Sequence, residues 1–225
     1  MIQAQRHSKK YFGRVQSIKK KNDIEILKNF NQYQSLVLKK EKKNIYLSKN
    51  NNNIIRLDLL KKKLNKKIII VLFRKPLNQA FSLLTQHQNF INIQNKNPFV
   101  LEYMNYLSHY DFGLNHKPLF FKEFKSSCKT NDINYWLDYW IFIYSKLSKF
   151  VEKDKDIIFL SYETLKLAPL KILNNIIKIF DEKFAINKTN ILDKVDKKIT
   201  FEINKKKFKI ANDLYEFIKC YEIKS

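Results

Sequence analysis

The stretch Ile68-Ile69-Ile70-Val71-Leu72-Phe73-Arg74-Lys75-Pro76-Leu77-Asn78-Gln79-Ala80-Phe81-Ser82 decides the fold. Residues 68–73 are apolar without interruption and mostly β-branched, the pattern of a strand covered on both faces in a parallel sheet. Pro76 suits the first position of a helix, where its missing N–H costs nothing. Arg74 is thus expected at the carboxyl end of a strand, beside a helix N-terminus, where open α/β folds bind phosphate. Its guanidinium is a planar fork of donors matched to phosphate oxygens. Ser82 falls eight residues later, about two turns into the helix. The same residues admit a plainer reading, an ion-paired arginine and a serine facing solvent.

Upstream, Asn44-Ile45-Tyr46-Leu47-Ser48-Lys49-Asn50-Asn51-Asn52-Asn53 reads as a short strand over 45–48 and a polar turn. An amphipathic helix over 54–65 follows, with Ile55, Leu59 and Leu60 on its apolar side. Asparagine is a good N-cap, so the Asn run starts that helix. Lys49 is expected at the strand's end, on the same rim as Arg74. Downstream, Ser82 leads to Gln86-His87, and Asn97-Pro98 pairs a cap with a first helical position. That next helix carries Tyr103-Met104 and runs toward Phe112-Gly113. Trp136, Trp140, Tyr144 and Leu147 recur at helical spacing and form a core face. A further apolar strand over 157–160 leads into Tyr162-Glu163.

In this order, over residues 44–180, these segments resemble sulfotransferases that use 3′-phosphoadenosine 5′-phosphosulfate, in particular a bacterial group of them. The resemblance rests on Arg74-x-Pro76 with Ser82, the Ser-Lys-Asn-Asn run at 48–51, the Gln-His pair, the tryptophan helix and the Tyr-Glu strand end. It implies an α/β fold with a P-loop-NTPase-like parallel sheet flanked by helices. It implies that Arg74 and Ser82 grip the nucleotide's 3′-phosphate, and that Lys49 contacts the sulfonate or the acceptor. The sulfuryl group would pass to a hydroxyl or amine acceptor, with no metal. A base would take the acceptor's proton. His87, His109, His116 and Glu163 are the available groups, although the glutamate's position is more often structural in the family. Tyr103, Tyr106 and Tyr110 suit an acceptor pocket or ordinary packing.

One element of the pattern has no counterpart. Sulfotransferases seat the 5′-phosphosulfate on a Lys-x-Gly-Thr-Thr loop, whose amides and lysine cradle the phosphate. This chain has two glycines, Gly13 and Gly113, and neither has that context. A Walker-type loop needs two glycines five apart followed by lysine, so it is excluded as well. The N-terminal strand and phosphate loop are therefore expected to be missing. The sequence is truncated upstream, or a separate chain supplies the loop, or the protein is a catalytically inactive nucleotide-binding remnant.

With 225 residues, 44% of them hydrophobic, the chain is expected to form a single sulfotransferase-like domain over 1–225. Within it, 1–22 reads as irregular and 183–209 as lysine-rich and weakly patterned. The formal charge is +23, which raises nucleic acid as a partner and a basic nucleic-acid-binding protein as an alternative. Arginine, the residue suited to bidentate base reading, occurs only at positions 6, 14, 56 and 74. Nucleic acid is therefore not the expected partner. Asn, Ile, Phe and Lys abound, as in a protein from AT-rich coding DNA. Two cysteines, Cys128 and Cys220, are too few for a zinc ribbon or a disulfide framework. No apolar run reaches the ~18 residues that span a bilayer, and the N-terminus lacks a signal-peptide core. The expected location is cytoplasmic.

Further expected elements are a helix over 23–41, helices over 76–91, 98–110 and 132–152, and one opened by Pro169. Residues 199–203 read as an added strand, and Asn212 as the cap of a final helix.

Overall fold

The computed structural model describes residues 20–63, 67–120, 122–151, 155–179, 186 and 201–223. It is a mixed α/β protein with a two-stranded parallel sheet and many helices. Its contacts divide into two compact units, Met1–Lys67 with Lys117–Glu123, and Ile68–His116 with Phe124–Ser225.

The first unit holds helix α1 (Lys20–Glu41), a 3-10 turn (Asn51–Arg56) and helix α2 (Leu57–Lys63). Lys42, with φ 50°, stops α1, and the Lys43 N–H returns to the Leu38 carbonyl at 3.0 Å. The strand expected over 45–48 is absent, because these residues have no regular structure. The Tyr46 ring instead packs edge-on to Phe30 and Tyr33 of α1, each at 6.3 Å. The Asn run does begin a helical segment. Asn50 accepts the Asn52 N–H at 2.9 Å, but the first six residues wind as 3-10.

The second unit is built on β1 (Ile69–Phe73) and β2 (Ile157–Ser161), which pair in parallel with Ile69 opposite Ile157 and Phe73 opposite Ser161. Between them run α3 (Pro76–Lys96), α4 (Pro98–Tyr106) and α5 (Ile133–Leu147). After β2 come α6 (Tyr162–Leu167), α7 (Pro169–Ile179) and α8 (Lys205–Cys220).

Alternation sends Ile70 and Leu160 to one face of the sheet, where Ile172 and Ile176 of α7 meet them. Phe73 points to the other face, and its ring lies 5.5 Å from Tyr215 of α8. Helices thus cover both faces, as an apolar strand pair requires. Cover is incomplete at Leu72, which is 57% exposed. The chain returns after α8 to the far edge of β2, where Glu222 bridges Phe159 and the Ile223 N–H reaches the Phe159 carbonyl at 3.1 Å.

Helix α5 is the central pillar, packed against α3 and α8. Asp132 caps it by accepting the Asn134 N–H at 2.8 Å. It buries Ile133, Trp136, Leu137, Trp140, Tyr144 and Leu147. Both indole N–H groups find acceptors, Trp136 on the Thr130 carbonyl at 2.8 Å and Trp140 on Gln79 at 3.2 Å. Deleting either ring would cost about 3–5 kcal/mol.

The last helix starts earlier than the sequence suggests. Asn204, not Asn212, is its cap and accepts the Lys207 N–H at 3.1 Å, while Asn212 lies inside the helix. The strand expected over 199–203 lies partly outside the described residues, and 201–203 have no regular structure. Of the weakly patterned segment, 205–209 are helical. The expected helix over 98–110 ends earlier, at Tyr106, the one over 132–152 is α-helical to Leu147 and continues as a 3-10 turn over Ser148–Phe150, and α3 runs on to Lys96. Among the described residues, no helix is long and apolar enough to cross a membrane.

Candidate functional site

The carboxyl ends of β1 and β2 lie side by side because Phe73 pairs with Ser161. Arg74 and Tyr162 follow those two residues directly. The Arg74 guanidinium carbon sits 5.0 Å from the Tyr162 ring centroid, a cation–π contact. Pro76 opens α3 at once, so Arg74 stands at a strand end and beside a helix N-terminus.

Glu163 locks this turn. Its Oε1 accepts the Lys75 N–H at 3.1 Å, and its Oε2 accepts the Tyr215 hydroxyl at 3.2 Å. Burial first, then the Glu163 carboxylate, pushes the Tyr215 phenol well above its ordinary range, which keeps it a donor. Glu222 braces the end of β2 in a similar way. Its carboxylate accepts the Ser161 N–H and, at 2.9 Å, the Thr164 hydroxyl. Ser161 caps α6 by accepting the Thr164 N–H at 3.1 Å.

Beneath Arg74, the Tyr144 hydroxyl reaches the Leu72 carbonyl and Gln79 Oε1, each at 3.2 Å. Burial raises this phenol strongly, so it too stays protonated. Gln79 also accepts from Trp140, so the first turn of α3 is pinned to α5 by two donors.

Ser82 lies on α3 about 9 Å along the axis from Pro76. It is exposed, on the side away from the buried stripe Ala80, Leu84, His87 and Gln94. Lys49 belongs to the first unit, is exposed and lies outside regular structure.

The three histidines have different surroundings. His87 is 2% exposed, and its Nδ1 accepts the Gly113 N–H at 3.1 Å. That bond places the proton of the neutral ring on Nε2, which is buried without a hydrogen-bond partner. Burial holds its pKa below the usual histidine value. His116 lies 5.2 Å away, ring to ring. Its Nδ1 faces the Asp111 and Tyr110 carbonyls at 2.8 and 3.2 Å, so it donates there, and Nε2 accepts from the Tyr135 hydroxyl at 3.0 Å. Burial pushes Tyr135 up to about 12. His109 is exposed, 3.8 Å from the Asp111 carboxylate.

Gly113 explains the buried Gln94. With φ 91°, it packs so close to the Gln94 amide that an added Cβ would stand 2.3 Å from Oε1. Gln94 in turn accepts the Leu114 N–H at 2.7 Å. His87 and Gln94, seven residues apart on one face of α3, thus fasten the loop around Gly113. Tyr103 and Tyr106 are exposed on α4, whereas Tyr110 is buried.

Sequence reasoning missed Tyr215, Glu222 and Gln79, and it marked Tyr162 as part of the Tyr-Glu strand end without assigning it the contact with Arg74. The spacing of Ala211, Tyr215 and Ile218 marks an apolar helix face and gives a signal for the first of these. Glu222 carries none, since one acid beyond the last helix has no pattern. Among the described residues, no group of three or more His, Cys, Asp or Glu side chains is placed to hold a metal ion. Comparison with protein-family models, curated proteins and solved structures finds no match to this chain.

Proposed function

We propose that the second unit is a nucleotide-binding body of sulfotransferase type, with a P-loop-NTPase-like fold. It would take 3′-phosphoadenosine 5′-phosphosulfate as co-substrate and pass its sulfuryl group to a hydroxyl or amine acceptor. The observation that carries this reading is Arg74 at the end of a parallel strand, in contact with Tyr162 and set beside the N-terminus of α3. Guanidinium donors and a helix N-terminus both favour a dianionic phosphate.

In this reading Arg74 holds the 3′-phosphate and Ser82, exposed on α3, adds a hydroxyl. Sulfuryl transfer, like phosphoryl transfer, is mainly positioning and stabilisation of spread negative charge, so cations matter more than any base. The Glu163 clamp supports a positioning role for that residue, since both its oxygens are engaged.

A second reading is a nucleotide-binding protein without transferase activity. It is favoured by the engagement of His87 and His116 in loop and core contacts, which leaves His109 as the exposed histidine of the three.

Titrating the purified protein with 3′-phosphoadenosine 5′-phosphate tests the anchor shared by both readings. Saturable binding is expected, weakened at least about tenfold by Arg74→Ala, the loss of about 1.4 kcal/mol. Ser82→Ala should weaken it less. No binding by the wild type, or equal binding by Arg74→Ala, removes the anchor.

A further inference from the structure

A second cluster lies in the same unit and is independent of the nucleotide reading. Lys207, in the first turn of α8, places Nζ 2.7 Å from Asp138 Oδ2 on α5 and 3.3 Å from Cys128 Sγ in the loop before α5. The loop is held in place, because the Ser126 hydroxyl donates to the same Asp138 oxygen and the Cys128 N–H donates to Ser126 Oγ at 3.1 Å. A cleft of about 520 Å³, lined in part by Ser126, Asp138, Phe142 and Lys207, opens beside the cluster.

We propose that Cys128 and Lys207 form a hydroperoxide-responsive pair that closes into a covalent Sγ–Nζ link. In the first step the Cys128 sulfur attacks a peroxide oxygen. The S–O bond forms, the S–H and O–O bonds break, and the leaving oxygen takes the thiol proton and departs as water from hydrogen peroxide or as an alcohol from an organic hydroperoxide. The thiol is oxidised by two electrons to a sulfenic acid, and the peroxide is reduced. In the second step the Lys207 ammonium, held by Asp138, gives a proton to hydroxide in the solvent of the cleft. The freed amine attacks the sulfenic sulfur, the S–N bond forms, the S–O bond breaks and water leaves, with no further redox change.

Three features favour this end state over continued oxidation. The amine is already within contact distance of the sulfur. Asp138 holds the amine in place against the sulfur. The cleft brings a molecule as small as a hydroperoxide to Ser126 and Lys207, the two side chains hydrogen-bonded to Cys128. The link would tie the loop before α5 to α8 across 79 positions of chain.

The exposed Cys220 provides an internal control. The full chain is treated with hydrogen peroxide at mildly alkaline pH, its remaining thiols are blocked, and it is digested without reductant for mass spectrometry. The expected product joins the Cys128 and Lys207 peptides at two hydrogens below their summed mass. It reverts with a thiol reductant and is lost in both Lys207→Arg and Cys128→Ser, while Cys220 forms no such link. Lys207→Arg keeps the charge facing Asp138, so loss of the product there is not loss of the fold. The proposal is overturned if Cys128 goes on to sulfinic acid to the same extent in wild type and Lys207→Arg. It is also overturned if Cys128 stays reduced while Cys220 oxidises.

Discussion

Glu163 accepts the backbone N–H of Lys75 at 3.1 Å and so ties the residue after Tyr162 to the residue after Arg74. The two strand ends are thereby fastened to each other through a side chain as well as through the sheet. The Tyr215 hydroxyl holds the other carboxylate oxygen, which brings α8 into the same fastening. A glutamate held from two sides serves as a brace for the arginine turn.

Replacing Glu163 by alanine removes both acceptors. The fold should lose about 1–3 kcal/mol, read by urea unfolding. Binding of 3′-phosphoadenosine 5′-phosphate should weaken along with it. Glu163→Gln keeps an oxygen for Lys75 and should lose clearly less of both. Equal behaviour of the two variants would contradict the brace.

Tyr144→Phe leaves the Leu72 carbonyl without its buried donor and removes one of the two donors on Gln79. The expected cost is about 1–2 kcal/mol in urea unfolding, at nearly constant volume. A variant as stable as the wild type would show that the hydroxyl contributes nothing at the base of the Arg74 turn.

Gly113→Ala should destabilise by about 2 kcal/mol or more. The backbone there has φ 91°, and the new Cβ would overlap the Gln94 amide. Pairing it with Gln94→Ala should recover some of the loss by relieving the overlap while leaving the strain of the positive φ. Additive losses in the double variant would rule out the contact as the cause.

His87 gives the fold a pH dependence of definite sign. Burial lowers its folded pKa from the ordinary histidine value of 6.5. The unfolded chain therefore binds the proton more readily. The stability contributed by neutral His87 is complete above the unfolded pKa, and it declines as pH falls below that value toward the lower folded one. His87→Gln, which retains an acceptor for the Gly113 N–H, should flatten the stability difference between about pH 7.5 and about pH 5. An unchanged difference would place the pH dependence elsewhere.

Much of the second unit was legible because its signals are local and agree with one another. The apolar run before Arg74, the prolines at 76, 98 and 169, and the tryptophan spacing of α5 each mark an element that tertiary packing has no reason to override. The segment around Tyr46 was not legible, because a short apolar run meets its burial needs equally well as a strand or as a loop packed on a helix. Here Phe30 and Tyr33 settled the matter, and the choice depends on residues more than ten positions away. The start of α8 was hidden by Lys205, Lys206 and Lys207, whose charge masked a helix with a clear apolar face.

The site divides along the same line. Arg74 could be read from its neighbours in sequence. Its contact with Tyr162 and the reach of Glu163 to Lys75 depend on the register of two strands separated by three helices. That register is set by the whole core, and no short window of sequence contains it. The contact between Lys207 and Cys128 is of the same long-range kind.

The most direct measurement compares the affinity of 3′-phosphoadenosine 5′-phosphate with that of adenosine 5′-phosphate, which lacks the ribose-borne phosphate, in wild type and Arg74→Ala. The wild type should prefer the bisphosphate by about tenfold or more, and the variant should show almost no preference. A wild type indifferent to the 3′-phosphate, or a preference that survives the loss of Arg74, would contradict the account.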